Sequence, residues 1–529
     1  MTNNMVWLPH LKNAVPKEAY GYKISMYTIA LEGWRRGLKL KFYSKYNKAK
    51  DKFLIHYSLS NGKKTHRFVI SRGDKVEKEA INICVNKDLT KKYLDNAKVE
   101  TPKGYVFSEH TTKDDIIAQS SQLGYPLVLK PTAGSVGRGV FSNIQNENEL
   151  IFAIDYVRDK LGLKEVIVEK YIRGEDYRLY VVDGKVISAF KKIPPNVIGD
   201  GESTLLQLIR QKNKMRQKVP SLYNHPIRVD GELKEYIKKY NYKIESVPKK
   251  GEVVYLKSKN NVSQGGDPVD MTDKIPYKIK EIAVNATRAI PGLVQCGVDM
   301  IIDLEKESGY VIELNSKPGI TSHLFPLEGE PRDVPKEIID FYFPETKNNK
   351  INYDYYFDLE SVYRPILHGN AKEITLPKIH LTPEEKKKIK ITNIDLLVSK
   401  RLLNSIRKLI RNNILNGYVK KLSDNSIVII VAGSKRNINK FNKEIDLRFK
   451  DSLIKRSDYK KPVKIGTEIL ASKKISSNKK ASLQSRIDEL LEENTQLKKD
   501  NDLYVKNYNS VINSRSWKII NKIKKRNKD

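Results

Sequence analysis

The most informative part of this sequence is G-V-D-M-I-I-D-L-E-K-E-S-G-Y-V-I-E-L-N-S-K-P-G, residues 297–319. It reads as two short apolar strands joined by a polar turn at 305–309. Because successive side chains of a strand point to opposite faces, Glu313 and Asn315 share a face, and Asp299 can lie on the same face of the partner strand. Burying such charges is costly unless something pairs with them. Their oxygens suit Mg²⁺, which prefers one or two carboxylates plus nucleotide phosphates. The alternative is a surface hairpin with incidental acids.

A second chemical motif lies upstream, at Y-P-L-V-L-K-P-T-A-G-S-V-G-R-G-V, residues 125–140. A buried strand over 127–129 delivers Lys130 to a loop of small residues. These loop residues are Gly134, Ser135, Gly137 and Gly139. Glycine lets backbone N–H groups approach phosphate oxygens closely, and a lysine neutralises their charge. No G-K-[ST] opens a helix, so this is not a Walker A loop. A plain turn is the alternative to a phosphate-binding loop.

Three more segments between these motifs matter for the site. A strand is predicted over 166–171, and a hairpin over 179–190 ends in Lys191 and Lys192. A later strand leads into K-S-K-N-N-V-S-Q-G-G, residues 257–266. That segment has the polar, glycine-ended composition of a loop that faces a ligand.

Composition narrows the class of protein. With 529 residues the chain suggests two to four domains. It lacks an apolar run of about eighteen residues and an apolar signal-peptide region, so neither a transmembrane helix nor a secretory leader is expected. Cys84 and Cys296 alone imply no disulfide framework, which fits a reducing cytoplasm. The formal charge of +35 attracts polyanions in general. Nucleic acid is disfavoured, because the interleaved aromatic and basic signatures of RNA-binding modules are missing.

In order and spacing, these motifs resemble the ATP-grasp superfamily over residues 86–345. The likeness is greater to the ATP-grasp part of cyanophycin synthetases than to bacterial glutathione synthetases. It implies ATP and Mg²⁺ (or Mn²⁺) as cofactors, with the metal on Asp299, Glu313 and Asn315. The residues that it implies for ATP are Lys130, Gly134, Ser135, Gly137 and Gly139, the adenine strand Glu169, Lys170, Tyr171 and Ile172, and Glu175 or Asp176 at the ribose. A P-G-x-x-x-H match places Pro318, Gly319 and His323 after the metal set.

Two departures from the family patterns concern the cation that holds the reacting phosphate. D-alanine ligases carry an arginine two residues before the metal aspartate, where this chain has Gly297. Cyanophycin synthetases have an arginine where the 257–266 loop has a lysine. The candidates for this catalytic cation are Arg178, Lys191, Lys192 and Lys257.

The resemblance implies an ATP-dependent ligase that acts on small-molecule acid and amine (or thiol) substrates. ATP would phosphorylate a carboxylate, and the amine or thiol would displace phosphate from the acyl phosphate. Positioning and charge neutralisation dominate such chemistry, so no protein nucleophile is expected. Peptide-like or cell-surface polymer synthesis fits this reaction. Cyanophycin synthesis itself is not implied, because the Mur-ligase half of those enzymes is missing.

The second half of the chain has a different pattern of predicted strands and helices. After a predicted linker over 346–390, residues 391–460 show a β-α-β-β-α order, which is ferredoxin-like. A strand is predicted over 391–399. The G-Y-V-x-x-L-x-D-x-S match at 417–426 resembles acylphosphatases, with Arg407 where those enzymes hold phosphate. Their catalytic asparagine is replaced by Lys421, which favours a degenerate module. Acylphosphatase-type hydrolysis is the alternative activity.

The C-terminal segment predicts association. Beyond a linker over 461–482, heptads over 483–510 carry asparagines at a positions, which favour a parallel homodimeric coiled coil. The tail over 511–529 alternates apolar and basic residues, as in helices that lie on an anionic membrane surface. A non-catalytic dimeric adaptor at a membrane is therefore a third hypothesis.

Taken together, we expect an α+β protein that is cytoplasmic or peripheral at the inner membrane face. A mixed α/β lobe over 1–85 precedes the ATP-grasp domain, and the acylphosphatase-like domain, coiled coil and tail follow.

Overall fold

The computed structural model of the protein describes residues 6–47, 51–132, 139–379, 383–394 and 398–470. The predicted coiled coil and basic tail lie outside the described residues, as do Gly134, Ser135 and Gly137 of the phosphate loop. Within the described ranges, no helix combines the length and apolarity that crossing a membrane requires.

The N-terminal lobe is an antiparallel sheet that packs on a buried helix. Its elements are α1 (Ile24–Arg35), β1 (Lys39–Asn47), β2 (Lys52–Ser60), β3 (Thr65–Val69) and β4 (Arg72–Gly73). The four strands pair in chain order. All twelve residues of α1 are buried, because Leu31 and Trp34 pack in one cluster with Leu40, Phe42 and Leu59 of the sheet.

A four-stranded sheet follows and carries the predicted nucleotide residues. The elements of this part are α2 (Lys78–Val85), α3 (Lys87–Asn96), β5 (Gly104–Phe107), α4 (Lys113–Ser121), β6 (Leu127–Pro131), β7 (Phe141–Ile144), α5 (Glu147–Asp155) and β8 (Val166–Lys170). The strand order is β5-β8-β6-β7. Leu127, Leu129 and Val168 pack on Leu150 of α5. Lys130 and Glu169 therefore lie on neighbouring strands.

The central sheet has five antiparallel strands in the order β13-β10-β9-β14-β15. The elements of this part are β9 (Glu175–Val182), β10 (Lys185–Ile193), β11 (Asn196–Ile198), α6 (Leu205–Arg216), α7 (Gly231–Lys238), β12 (Val253–Tyr255), β13 (Asp267–Asp270), α8 (Tyr277–Arg288), β14 (Gln295–Asp303) and β15 (Ser308–Asn315). On one face, Leu179, Val298 and Met300 pack against Ile279 of α8. The opposite face carries the polar residues of the site. β14 and β15 form the hairpin that the 297–319 pattern predicts.

The linker predicted over 346–390 is wrong, because this segment contains strands and a helix. The elements from residue 321 onward are α9 (Thr321–Leu324), α10 (Val334–Tyr342), β16 (Tyr355–Tyr356), α11 (Leu359–Leu367) and β17 (Glu373–Thr375). α11 buries Leu359, Val362 and Ile366 in the N-terminal core, and β17 pairs with β1. The strand that pairs with β17 lies more than 300 residues away in the chain, so local periodicity does not reveal this pairing.

The last part of the described chain is a compact module of strands and helices. Its elements are β18 (Glu385–Thr392), α12 (Lys400–Asn412), β19 (Asn416–Lys421), β20 (Ile427–Gly433), α13 (Lys435–Arg448), β21 (Leu453–Asp458), β22 (Val463–Lys464) and β23 (Thr467–Leu470). From β18 to β21 the order is β-α-β-β-α-β, the ferredoxin-like arrangement. The strand predicted over 391–399 is wrong, because β18 covers 385–392. The lysines at 386–388 obscured the apolar pattern of this strand. β18 lies between β20 and β21 in the sheet, and its Ile389 and Ile391 are buried.

The C-terminal module packs tightly on the N-terminal lobe. Ile430 and Ala432 of β20 belong to the N-terminal core cluster. β22 pairs in parallel with β16, and Lys386 forms an ion pair with Asp354. Because helices cover the other face of its sheet, the module is buried on both faces.

Candidate active site

Asp299 lies on the polar face of the central sheet, between two cations. Arg178 of β9 lies opposite Asp299 in the strand register and donates from Nε to Oδ1 at 2.8 Å and from Nη2 to Oδ2 at 2.6 Å. Lys192 of β10 donates to Oδ1 at 2.9 Å. Burial opposes ionisation, but the charges of Arg178 and Lys192 outweigh it and hold the pKa of Asp299 well below its usual range. The carboxylate is therefore ionised at every physiological pH.

The three predicted metal ligands are brought together by strand pairing. Glu313 lies opposite Asp299 in the register, and Asn315 lies opposite Gly297. Nδ2 of Asn315 donates to Oδ2 of Asp299 at 3.2 Å. An ionised carboxylate offers about four lone-pair sites, so Asp299 can bind a cation while it keeps Arg178.

This donor set fits a hard cation that is shared with phosphate. Two carboxylates and one amide are too few for an all-protein cage, and the described residues hold no group of three or more His, Cys, Asp or Glu side chains placed for a metal. Mg²⁺ usually binds through one or two carboxylates plus substrate phosphates. Asp299, Glu313 and Asn315 would hold such a metal.

Two of the predicted nucleotide residues, Lys130 and Glu169, border the same narrow cavity as Glu313. Lys130 of β6 and Glu169 of β8 form an ion pair at 2.7 Å, and their side chains are 9% and 8% exposed. The cavity lies between these strands, α3 and β15, and both the pair and Glu313 line it. The structure thus places the predicted phosphate lysine beside a predicted metal ligand, although 183 residues separate them in the chain.

The predicted adenine strand is fixed by backbone contacts. Lys170 donates from Nζ to the carbonyls of Gly124 and Tyr125 at 2.8 and 3.1 Å, and the Tyr171 N–H donates to the Pro126 carbonyl. Lys170 therefore has a structural role. Ile172 follows the end of β8 and is half-buried. Gly139, the described glycine of the phosphate loop, has φ of 74°, a conformation that favours glycine.

Strand alternation separates the remaining candidates. Asp176 shares the face of Arg178 and Asp299, and it accepts a hydrogen bond from Asn260 at 2.7 Å. Glu175 and Lys191 pair with each other on the opposite face. Asp176 therefore lies on the face of the site and Glu175 does not. The structure does not bring Lys191 to Asp299, because adjacent strand residues point in opposite directions.

Lys257 contacts other carboxylates and not Asp299. It is 4% exposed, and its Nζ contacts Asp230 at 2.6 Å and Glu232 at 3.3 Å at the start of α7. The 257–266 loop still reaches the site, through the contact of Asn260 with Asp176. Among the four cation candidates, Arg178 and Lys192 are the two that contact Asp299.

Close packing explains why a glycine occupies position 297, where D-alanine ligases carry an arginine. A Cβ at Gly297 would come within 2.6 Å of the Pro318 Cβ and 3.7 Å of the Arg178 Cδ. The neighbouring strand therefore supplies an arginine to the space beside Gly297.

Sequence reasoning missed Lys87 and gave His323 no role. Lys87 is the first residue of α3 and lines the cavity with Lys130, and burial lowers the pKa of Lys87. A lysine at a helix N-terminus opposes the helix dipole, and this was the available signal. His323 is 2% exposed, is hydrogen-bonded to Ser188 at 2.7 Å, and packs on Phe190 beside the site.

The acylphosphatase-like residues do not form a phosphate cradle. α12 begins at Lys400, so Arg407 lies inside a helix on its exposed side, where backbone N–H groups are used within the helix. Lys421 donates from Nζ to the Val398 carbonyl at 3.0 Å. Neither Arg407 nor Lys421 therefore lies in a phosphate-binding loop among the described residues.

Part of the chain matches a known protein family. Residues 84–321 match the family model for the ATP-grasp domain. Cyanophycin synthetase from Geminocystis herdmanii is 32% identical over 300 residues, which are 55% of this chain and 34% of that protein. The glutathione biosynthesis bifunctional protein GshAB from Clostridium perfringens is 31% identical over 362 residues, 63% of this chain and 43% of that protein.

A solved structure of a bifunctional glutathione synthetase from Pasteurella multocida is 27% identical and covers 57% of this chain and 42% of that one, with a TM-score of 0.43. This chain spans less than half the length of the curated relatives named above.

The chain therefore contains an ATP-grasp domain, and the predicted cofactors, ATP with Mg²⁺ or Mn²⁺, are those of this family. Over part of its length the chain is similar to cyanophycin synthetases and to GshAB proteins.

Proposed function

We propose that the protein is an ATP-dependent ligase that joins a carboxylate to an amine or a thiol through an acyl phosphate. The observation that carries this proposal is the convergence of Asp299, Glu313 and Asn315 with Arg178 and Lys192, on a sheet face that meets the Lys130 cavity. Such an arrangement gathers fixed charges where phosphate charge develops, which is the main demand of phosphoryl transfer.

In the first step, a carboxylate oxygen of the acid substrate attacks the γ-phosphorus of ATP, and ADP leaves. Lys130 and Lys87 neutralise nucleotide phosphates at the cavity, and backbone groups of 169–172 hold the adenine. A metal bound by Asp299, Glu313 and Asn315 would polarise the phosphate oxygens.

In the second step, the amine or thiol attacks the acyl carbon, and inorganic phosphate leaves. Arg178 and Lys192 lie beside Asp299, so they can contact the transferred phosphoryl group in both steps. His323 stays neutral beneath them, since burial and the charge of Arg178 lower its pKa to about 3. It therefore adds no competing positive charge.

The test uses conservative substitutions of the two carboxylates. Asp299→Asn and Glu313→Gln should each reduce ADP formation at least about 100-fold, because a neutral amide cannot replace an anionic metal ligand. Glu305→Gln, in the exposed turn of the same hairpin, is the matched control. Near wild-type turnover in either site variant would show that the site is misassigned.

The acylphosphatase-type alternative has no supporting observation beyond the shared topology. The homodimer, the membrane contact and the cytoplasmic location remain predictions from the sequence, as do the acid and amine substrates.

A further inference from the structure

The N-terminal sheet has two chemically different faces. Phe42, Tyr57 and Phe68 point into the core that α1 closes. The register pairs Tyr43 with His56 and Val69 with Arg72, so these side chains lie on the opposite face. Lys45 is two residues beyond Tyr43 on that face.

This second face adjoins the candidate active site. Arg72 donates from Nη1 to Ser316 Oγ at 3.3 Å, and Ser316 directly follows the metal ligand Asn315. Lys317 is the next residue and is exposed. We use "basic face" for Tyr43, Lys45, His56, Arg72 and Lys317.

Positive charge from three separate elements converges on one imidazole. His56 is half-buried, and burial, followed by the charges of Lys45, Lys317 and Arg72, lowers its pKa. Clustered positive charge attracts anions, so this face suits a ligand that carries negative charge.

We propose that the basic face binds the acid substrate, and that this substrate is a chain with several carboxylates, such as an acidic peptide. Its reacting carboxylate would reach the Asp299 site while further carboxylates lie along the basic face. This inference rests on the proposed ligase function and names the class of its acid substrate.

Dimensions favour a chain over a single small acid. Neighbouring strands lie about 4.8 Å apart, so the row from β1 to β4 spans roughly 14 Å. One carboxylate could contact one or two of these cations, whereas successive acidic side chains could contact Lys45, His56 and Arg72 in turn.

The experiment measures binding of hexa-L-glutamate to the full chain by calorimetry. The double variant Lys45→Ala/Lys317→Ala should bind the probe roughly 5- to 20-fold more weakly, as expected for two exposed ion pairs. Both side chains are exposed, so the variant should fold. The control Lys274→Ala/Lys278→Ala removes two exposed lysines, one just before α8 and one within it, and should bind like the wild type. α8 covers the opposite face of the central sheet.

Equal binding by the wild type and the Lys45/Lys317 variant would overturn the proposal. So would an equal loss in the control pair, because binding would then follow from net charge alone. Asp299→Asn separates this inference from the proposed function: it should lose ATP turnover and still bind hexa-L-glutamate.

Discussion

The position of a single arginine shows how this site departs from the pattern of D-alanine ligases. Those enzymes carry the arginine on the metal strand, whereas here Gly297 stands there and Arg178 comes from the neighbouring strand. The guanidinium still makes a bidentate contact with Asp299, at 2.8 and 2.6 Å. Planar, two-point contacts of this kind suit both carboxylate and phosphate, so the same side chain can serve both.

Lys130→Ala should weaken ATP binding by about 1.5–3 kcal/mol, the contribution of a hydrogen bond to a charged group. It should also destabilise the fold by about 3–5 kcal/mol, because Glu169 would be left buried and unpaired. Calorimetry with ATP and urea unfolding measure the two effects.

The double variant Lys130→Ala/Glu169→Gln separates the two effects of the lysine. It should recover part of the lost stability while ATP binding stays weak. Wild-type ATP affinity in a folded Lys130→Ala variant would remove Lys130 from the site.

The buried His323 should make stability depend on pH. Its pKa is lowered from 6.5 to about 3 by burial and by Arg178, so between these values the unfolded chain binds a proton that the folded chain does not. The free energy of unfolding should therefore fall as pH drops below 6.5. Between pH 6.5 and 5 this loss is about 2 kcal/mol, at about 1.4 kcal/mol per pH unit.

Urea unfolding of the wild type and His323→Asn at pH 7 and pH 5 measures this contribution by difference. Other groups also titrate in this range, among them His10 and Asp333, and they cancel between the two proteins. An identical pH dependence of the two stabilities would contradict the neutral, buried state of His323.

At the level of elements, the start of α12 bears most directly on the acylphosphatase question. Acylphosphatases have a glycine-rich phosphate loop before the arginine that Arg407 resembles, but this chain reads L-L-N-S-I there, and Ser399 caps a helix that starts at Lys400. Its side chain accepts a hydrogen bond from the Leu402 N–H at 3.2 Å. The segment that should cradle phosphate is helical, and its N–H groups inside the helix are already bonded.

The full chain should therefore hydrolyse benzoyl phosphate, a model acyl phosphate, no faster than an Arg407→Ala variant. Both proteins would carry Asp299→Asn, which silences the ATP-grasp site. Spectrophotometric loss of the acyl phosphate provides the rate. A clear decrease caused by Arg407→Ala would establish the hydrolase activity.

Across the whole molecule, the described chain closes into one packed body around the N-terminal lobe. A single core cluster joins α1 and its sheet to α10, to α11 and to Ile430 and Ala432 of the C-terminal module. The module therefore has no free sheet face for a second partner among the described residues. The predicted coiled coil and tail lie outside the described residues.

The tail prediction concerns residues 511–529. Their basic residues should each add about 1 kcal/mol to binding of an anionic surface, and a dimer would add avidity. Sedimentation with anionic and with neutral vesicles tests this. The full chain should bind the anionic vesicles, and binding should fall at high salt. Binding that persists after deletion of 511–529 would refute the membrane hypothesis.

The sequence by itself determined the parts of this protein in which local pattern is strong. Period-two alternation placed the β14–β15 hairpin and made Glu313 and Asn315 share a face. The glycine loop after Lys130 and the order of motifs indicated the ATP-grasp domain, which the family match confirms. These features depend on neighbours a few residues away, so one sequence suffices to predict them.

Only the tertiary structure decided which distant groups meet. Four cations were candidates for the acyl phosphate, and the register of β9, β10 and β14 brought Arg178 and Lys192 to Asp299. Strand alternation directs Lys191 to the other face, and Lys257 contacts Asp230 instead. β9 and β14 lie more than 100 residues apart in the chain, and the packing of whole sheets sets their register. A local sequence pattern therefore cannot predict it.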